Sequence, residues 1–188
     1  MLLISSLVLP ALFAQDKPTG RVKASEYPAH AAIPGLEIGA EYLVHSIPGD
    51  NGYYYADNYL VVDVGVFPFS GEAIRIESRK FALRINQGKS VYAADSPGTV
   101  AASITPRMAG TFPGQEQQQQ PDANSTDQRP PKTIQQTVAL AALPEGPTEK
   151  PVKGCLFFRF GGSMKKIRSL ELIYVPGEGK PLVTIPLL

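Results

Sequence analysis

The sequence predicts an all-β protein, an immunoglobulin-like antiparallel β-sandwich of about seven strands. Three observations predict it. Apolar residues recur at every second position in short runs, which is the period of a strand and not of a helix. Those runs are rich in Val, Ile, Phe and Tyr, and turn residues divide them at spacings of roughly 8–12 positions. The 18 prolines and 17 glycines among 188 residues punctuate the chain too often for long helices.

One domain suits this length, since a single hydrophobic core commonly serves about 100–200 residues. A hydrophobic fraction of 43% is ordinary for a globular chain. The formal net charge of +1 supplies no field to draw in a nucleic acid, and no basic tail stands out. No nucleic-acid partner is expected.

The N-terminus reads as a secretory signal over residues 1–14. Leu2 to Phe13 is an apolar run too short to cross a roughly 30 Å hydrocarbon core as a helix. Ala14 is small enough to precede a cleaved bond, and Gln15, Asp16 and Lys17 turn the chain polar at once. Cleavage near Ala14 would send the mature chain to the periplasm or the exterior with no transmembrane segment. No Cys follows the run, so no bacterial lipid anchor is expected. Residues 15–39 carry Pro18, Pro28 and Pro34 without a sustained period and are expected to form a loosely ordered extension.

The sandwich domain is expected to fill residues 40–188. A first strand reads as Glu41 to Ser46, followed by a hairpin turn at Gly49-Asp50-Asn51-Gly52, where Asn-Gly tolerates positive φ. From Tyr59 the chain places Leu60, Val62, Val64 and Val66 on one face, with Tyr59, Val61, Asp63 and Gly65 on the other. Short strands follow at Ile74 to Ile76 and Phe81 to Ile85, and a return strand at Val91-Tyr92. Residues 106–132 hold four consecutive Gln and scarcely an apolar residue. Such a segment buries too little surface to offset its ordering entropy, so a disordered insertion within the domain is expected. Strand patterning is expected to resume at Ile134, with Gly154 to Phe160, Leu170 to Tyr174 and Leu182 to Leu187 completing the sandwich. No helix longer than two turns is expected.

Two blocks carry a resemblance. In residues 58–92 it rests on Tyr59, Val62 and Val64, on Phe81 and Leu83, and on Gly88, Lys89 and Tyr92. In residues 143–174 it rests on Gly154, Leu156 and Phe158, and on Leu170, Leu172 and Tyr174. These resemble the secreted bacterial immunoglobulin-like domains of the DUF4352 kind. The resemblance implies a sandwich architecture and an exported location; domains of this kind are often regarded as binding modules. The matched residues are core positions, so it names no ligand.

Candidate chemistry is sparse. Histidine, the usual general base and metal ligand, occurs only at His30 and His45. His45 and Glu41 share a strand face and could meet Asp63 across a sheet. However, residues four apart on a strand lie about 13 Å apart, too far for one metal ion without further ligands. Asp50, Asn51 and Asp57 lack the order of a calcium loop. No activated-serine motif and no Gly-rich phosphate loop occur. No enzyme activity, no cofactor and no metal are expected. Asp63, Arg75 and Arg84 read as a solvated sheet face, and Cys155 as a buried small hydrophobe.

Two surface features remain as partner-binding candidates. Tyr53, Tyr54 and Tyr55 beside a turn could form an aromatic tip. Arg84 and Arg159 belong to a basic set with Arg75, Arg79, Lys80, Lys153, Lys165, Lys166 and Arg168 that could favour an anionic envelope polymer or headgroup. The expected function is a non-catalytic, exported binding module whose partner is another envelope protein or a surface polymer. The alternative is a structural protein that assembles by pairing an open edge strand.

Overall fold

The structure, a computed structural model, describes residues 20–49, 52–69, 71, 73–104, 132–177 and 181–188. The expected signal peptide, Asp50 and Asn51 of the expected hairpin, and the expected insertion apart from Lys132 lie outside these residues.

In chain order the strands are β1 (Ala29–Ile33), β2 (Leu36–Tyr42), β3 (Ser46–Gly49), β4 (Gly52–Tyr55), β5 (Tyr59–Pro68), β6 (Ile74–Ile76), β7 (Phe81–Ile85) and β8 (Val91–Ala93). Helices α1 (Pro97–Ser103) and α2 (Ile134–Ala141) precede β9 (Gly146–Thr148), β10 (Val152–Arg159), β11 (Leu170–Tyr174) and β12 (Val183–Pro186). Two four-stranded antiparallel sheets, ordered β1-β2-β5-β10 and β12-β11-β7-β8, face each other, and β3-β4 and β6-β9 form separate ribbons. The all-β sandwich is therefore the architecture.

Alternation builds the core between the sheets. Leu36, Ile38 and Ala40 of β2 and Leu60, Val62, Val64 and Val66 of β5 meet Phe81 and Leu83 of β7, Leu170 and Leu172 of β11, and Ile185 of β12. The inward faces interdigitate as in aligned sheet packing. The other face of β5 is buried too. Tyr59 and Val61 join Cys155 and Phe157 of β10 beneath Val100 and Ala101 of α1 and Val138 of α2. The outer face of the first sheet thus carries a small helical layer over a second core.

Three expectations are corrected. Residues 15–39 are not loosely ordered throughout, because β1 and β2 begin at Ala29 and Leu36 and pair along their length. Pro28 and Pro34 flank β1 rather than break it. The expected first strand from Glu41 to Ser46 is interrupted: β2 ends at Tyr42 and Val44 turns the chain with φ of 62°. A β-branched residue in this left-handed region is strained. It is held there by bonds from the Leu43 amide to the Val61 carbonyl and from the Val61 amide to the Val44 carbonyl, at 2.9 and 2.8 Å.

The third correction concerns Ile134 onward, which is helix and not strand. Thr133 accepts from the Gln136 amide, and the Gln136 side chain accepts from the Thr133 amide, a complete capping box. The alanines behind it favour helix, and the apolar stripe faces the second core. In addition, Ile74–Ile76 forms its strand against β9 and not within either sandwich sheet.

One edge of the first sheet is covered. Ala94 bridges Phe158, and Ala142 bridges Cys155 in parallel sense. The Asp95 amide donates to the Phe157 carbonyl at 2.7 Å and the Leu143 amide to the Cys155 carbonyl at 3.0 Å. At the opposite edge lies β1.

Candidate ligand-binding groove

The end of β7 sets the geometry of one end of the sandwich. Asn86 and Gln87 adopt φ of 54° and 55°, a left-handed turn that Asn tolerates better than most residues. The Gly88 amide closes it onto the Ile85 carbonyl at 3.0 Å. Asn86 then ties this turn to the loop before β11. Its Nδ2 donates to the Lys166 carbonyl at 2.8 Å, and its Oδ1 accepts from the Arg168 and Ser169 amides at 2.6 and 3.2 Å. The Asn86 amide donates to the Ser169 carbonyl at 2.9 Å. These bonds to one residue fix two loops that are remote in sequence.

Between those loops, β8 and the end of β10 lies a groove of about 340 Å3. Lys89 and Ser90 come from one loop, Ser163 and Lys166 from the other, and Tyr92 and Phe160 complete the lining with Ile85, Asn86, Ile167 and two glycines. The Tyr92 and Phe160 rings meet edge to face, their centroids 6.1 Å apart at 80°. That arrangement suits the ring quadrupoles and steadies Tyr92 on a short strand. Tyr92 remains 36% exposed. Both lysines are exposed, and no Asp, Glu, His or Cys lines the groove. Its volume falls in the range of about 300–1,000 Å3 usual for ligand clefts.

The residues singled out from sequence are distributed differently. Alternation along β4 leaves Tyr53 and Tyr55 exposed on one side. Tyr54 turns inward to the second core and covers Gly49, where a Cβ would lie 2.7 Å from its ring. The three tyrosines therefore do not form one tip. Arg84 pairs with Glu171 at 2.7 Å across β7 and β11. Arg159 donates to Asp95 at 3.3 Å and to the Tyr59 hydroxyl at 3.0 Å, and that hydroxyl donates to Asp95 at 3.1 Å. Arg75 and Arg79 share Glu77. These cations are balanced within the fold, and neither Arg84 nor Arg159 lines the groove. In the sequence Lys89 stood only as a matched position of the resemblance and Tyr92 also as part of a return strand, with no sign that Lys166 and Phe160 would join them.

Asp63 is corrected from a solvated residue to a half-buried one. Glu41 and Asp63 meet directly across β2 and β5, but His45 does not join them. The Nδ1 of His45 instead lies against the Tyr59 carbonyl. Arg21 covers the pair, its Nη2 2.6 Å from Glu41 and its Nη1 3.6 Å from Asp63. The guanidinium stacks 4.4 Å above the Tyr27 ring. Burial pushes the Asp63 carboxyl up to about 6, with Arg21 opposing the rise and Glu41 adding to it. Burial drives the Tyr27 hydroxyl far up, and the Asp63 charge adds to the effect. A smaller cavity of about 180 Å3 separates this cluster from α2 and reaches Cys155. Burial also pushes the Cys155 thiol far up, so it stays protonated. Among the described residues no group of three or more His, Cys, Asp or Glu is placed to hold a metal ion. No described helix is long and apolar enough to cross a membrane.

No family model matches the chain, and no curated protein sequence matches it. DUF4352 membership is therefore not shown. Among solved structures the chain is similar to a protein of Bacillus subtilis subsp. subtilis str. 168 described as a "putative lipoprotein (ycdA)". The identity is 15% and the TM-score 0.41, over 84% of this chain and 37% of that one. The chain spans well under half the length of that protein.

Proposed function

We propose that the chain is a non-catalytic binding module of an exported protein, and that it engages its ligand in the groove at the end of the sandwich. The observation that carries this reading is the meeting of Lys89, Lys166 and the exposed Tyr92 around one cleft with no acidic residue in its lining. Ammonium, hydroxyl and aromatic groups hold and orient a ligand. The lining holds no histidine, carboxylate or thiol, groups that commonly serve as general acid or base. Export is supported by the apolar leader and the small residue that ends it.

The test immobilises the mature chain and measures binding of solubilised envelope polysaccharide and membrane fractions. Saturable binding to at least one fraction is expected, weakened roughly ten-fold or more in the Lys89→Gln/Lys166→Gln variant. Absence of saturable binding, or binding indifferent to that substitution, would count against the proposal.

A second reading, assembly by strand pairing, is favoured by β1. This five-residue edge strand contains no Lys, Glu or Pro, the residues that usually blunt an edge. Light scattering on the mature chain separates the two: a stable oligomer abolished by Ala31→Pro supports pairing, and a monomer supports the binding module.

A further inference from the structure

We infer that the ligand of the end groove is an anionic glycan, a chain of sugar rings bearing carboxylate groups. This rests on the reading of the groove as the ligand site. Two recognition elements meet there. The first is charge. Arg21, Arg75, Arg79, Arg84 and Arg159 are each answered by a carboxylate of the fold, whereas no carboxylate among the described residues pairs with Lys89 or Lys166. Lys165 and Arg168, both exposed on the Lys166 loop, deepen the positive potential.

The second element is a supported aromatic ring. Tyr92 is exposed while Phe160 braces it edge to face. The C–H groups of a sugar ring carry slight positive charge and pack on the negative face of such a ring. Ser90 and Ser163 place hydroxyls in the same lining for sugar hydroxyls. The Asn86 amide is already committed to the Lys166, Arg168 and Ser169 backbone, so it shapes the site rather than reading the ligand.

Charge complementarity alone would also admit an acidic peptide. Extended peptides commonly add to a sheet edge, and β8 presents three residues, too few for a register of backbone bonds. The concave, aromatic-bearing cleft favours the glycan.

The experiment is calorimetric titration of the mature chain with polygalacturonate, neutral dextran, polyphosphate and polyglutamate at equal ionic strength. Thermal unfolding checks that each variant is folded. Polygalacturonate should bind, dextran at least ten-fold more weakly. Tyr92→Leu, which keeps an apolar cover on Phe160, should weaken polygalacturonate about ten-fold. Lys89→Gln/Lys166→Gln should weaken it further. If polyphosphate or polyglutamate binds as tightly and Tyr92→Leu changes nothing, the groove reads charge alone. The glycan assignment then falls and the binding module stands. If none of the four probes binds while lysine-dependent binding to envelope fractions persists, the assignment falls alone. If both kinds of binding are absent, the groove itself is not the ligand site.

Discussion

Glu41 and Asp63 stand directly opposite each other on β2 and β5, two carboxylates on one sheet face with Arg21 over both. Like charges directly across a sheet repel. The arrangement persists because Arg21 answers both and because Asp63 is half-buried and titrates near 6. In the unfolded chain an Asp titrates near 3.9. Between those values the folded protein holds more protons than the unfolded one, so this group makes stability rise as pH falls. Asp63→Asn should remove that rise. The stability difference between parent and variant, from urea unfolding at pH 7 and pH 4, should change by about 2 kcal/mol in the parent's favour on acidification. A pH-independent difference would show that Asp63 is as accessible to water as an ordinary surface carboxylate.

Tyr27 lies across Gly39 and Gly65, which are register partners on the same two strands. A Cβ on Gly39 would collide with the Tyr27 ring, and one on Gly65 would lie 2.7 Å from its hydroxyl. Tyr27→Ala should cost about 3–5 kcal/mol through the cavity it leaves. Gly39→Ala should cost about 1–3 kcal/mol by overpacking. In the Tyr27→Ala background the Gly39→Ala cost should largely vanish, because the colliding ring is gone. Chemical denaturation of the four proteins closes the cycle, and additive costs would contradict this packing.

The glycine pair also shows what the sequence conveyed. The inward-facing residues of β5, β7, β10 and β11 were legible because strict alternation of apolar residues fits a strand and little else. The outer face of β5 was not: Asp63 looked like a solvent-facing residue, and it and Gly65 make sense only beneath Tyr27 and Arg21, far earlier in the chain. Sheet partners far apart in sequence leave no local periodicity. The groove was hidden for the same reason. Lys89 and Lys166 converge through Asn86, whose bonds across the two loops cannot be read from either loop alone.

Thr133 and Gln136 form a capping box at the start of α2, a local signal that the strand reading from Ile134 onward did not use. Thr133→Ala should destabilise the domain by about 1 kcal/mol. Thr133→Ser should retain most of that stability. A thermal midpoint unchanged in Thr133→Ala would mean that α2 is held by its apolar face alone.

Cys155 lies 3% exposed in the second core, opposite Asp63 in register. Its thiol should react with a disulfide reagent only through unfolding, with the labelling rate tracking denaturant concentration as global stability does. Rapid native-state labelling at pH 8 would require an opening of the helical layer that this packing opposes.

The central claim is that the sandwich end bearing Lys89, Tyr92 and Lys166 is the ligand site. The most direct measurement is heteronuclear NMR of the labelled mature chain during titration with polygalacturonate. Saturable shifts confined to residues 86–92 and 160–168 are expected, with β1, β4 and the Arg21 cluster unmoved. Saturable shifts centred on Tyr53 and Tyr55 or on Arg21 and Asp63 would contradict it.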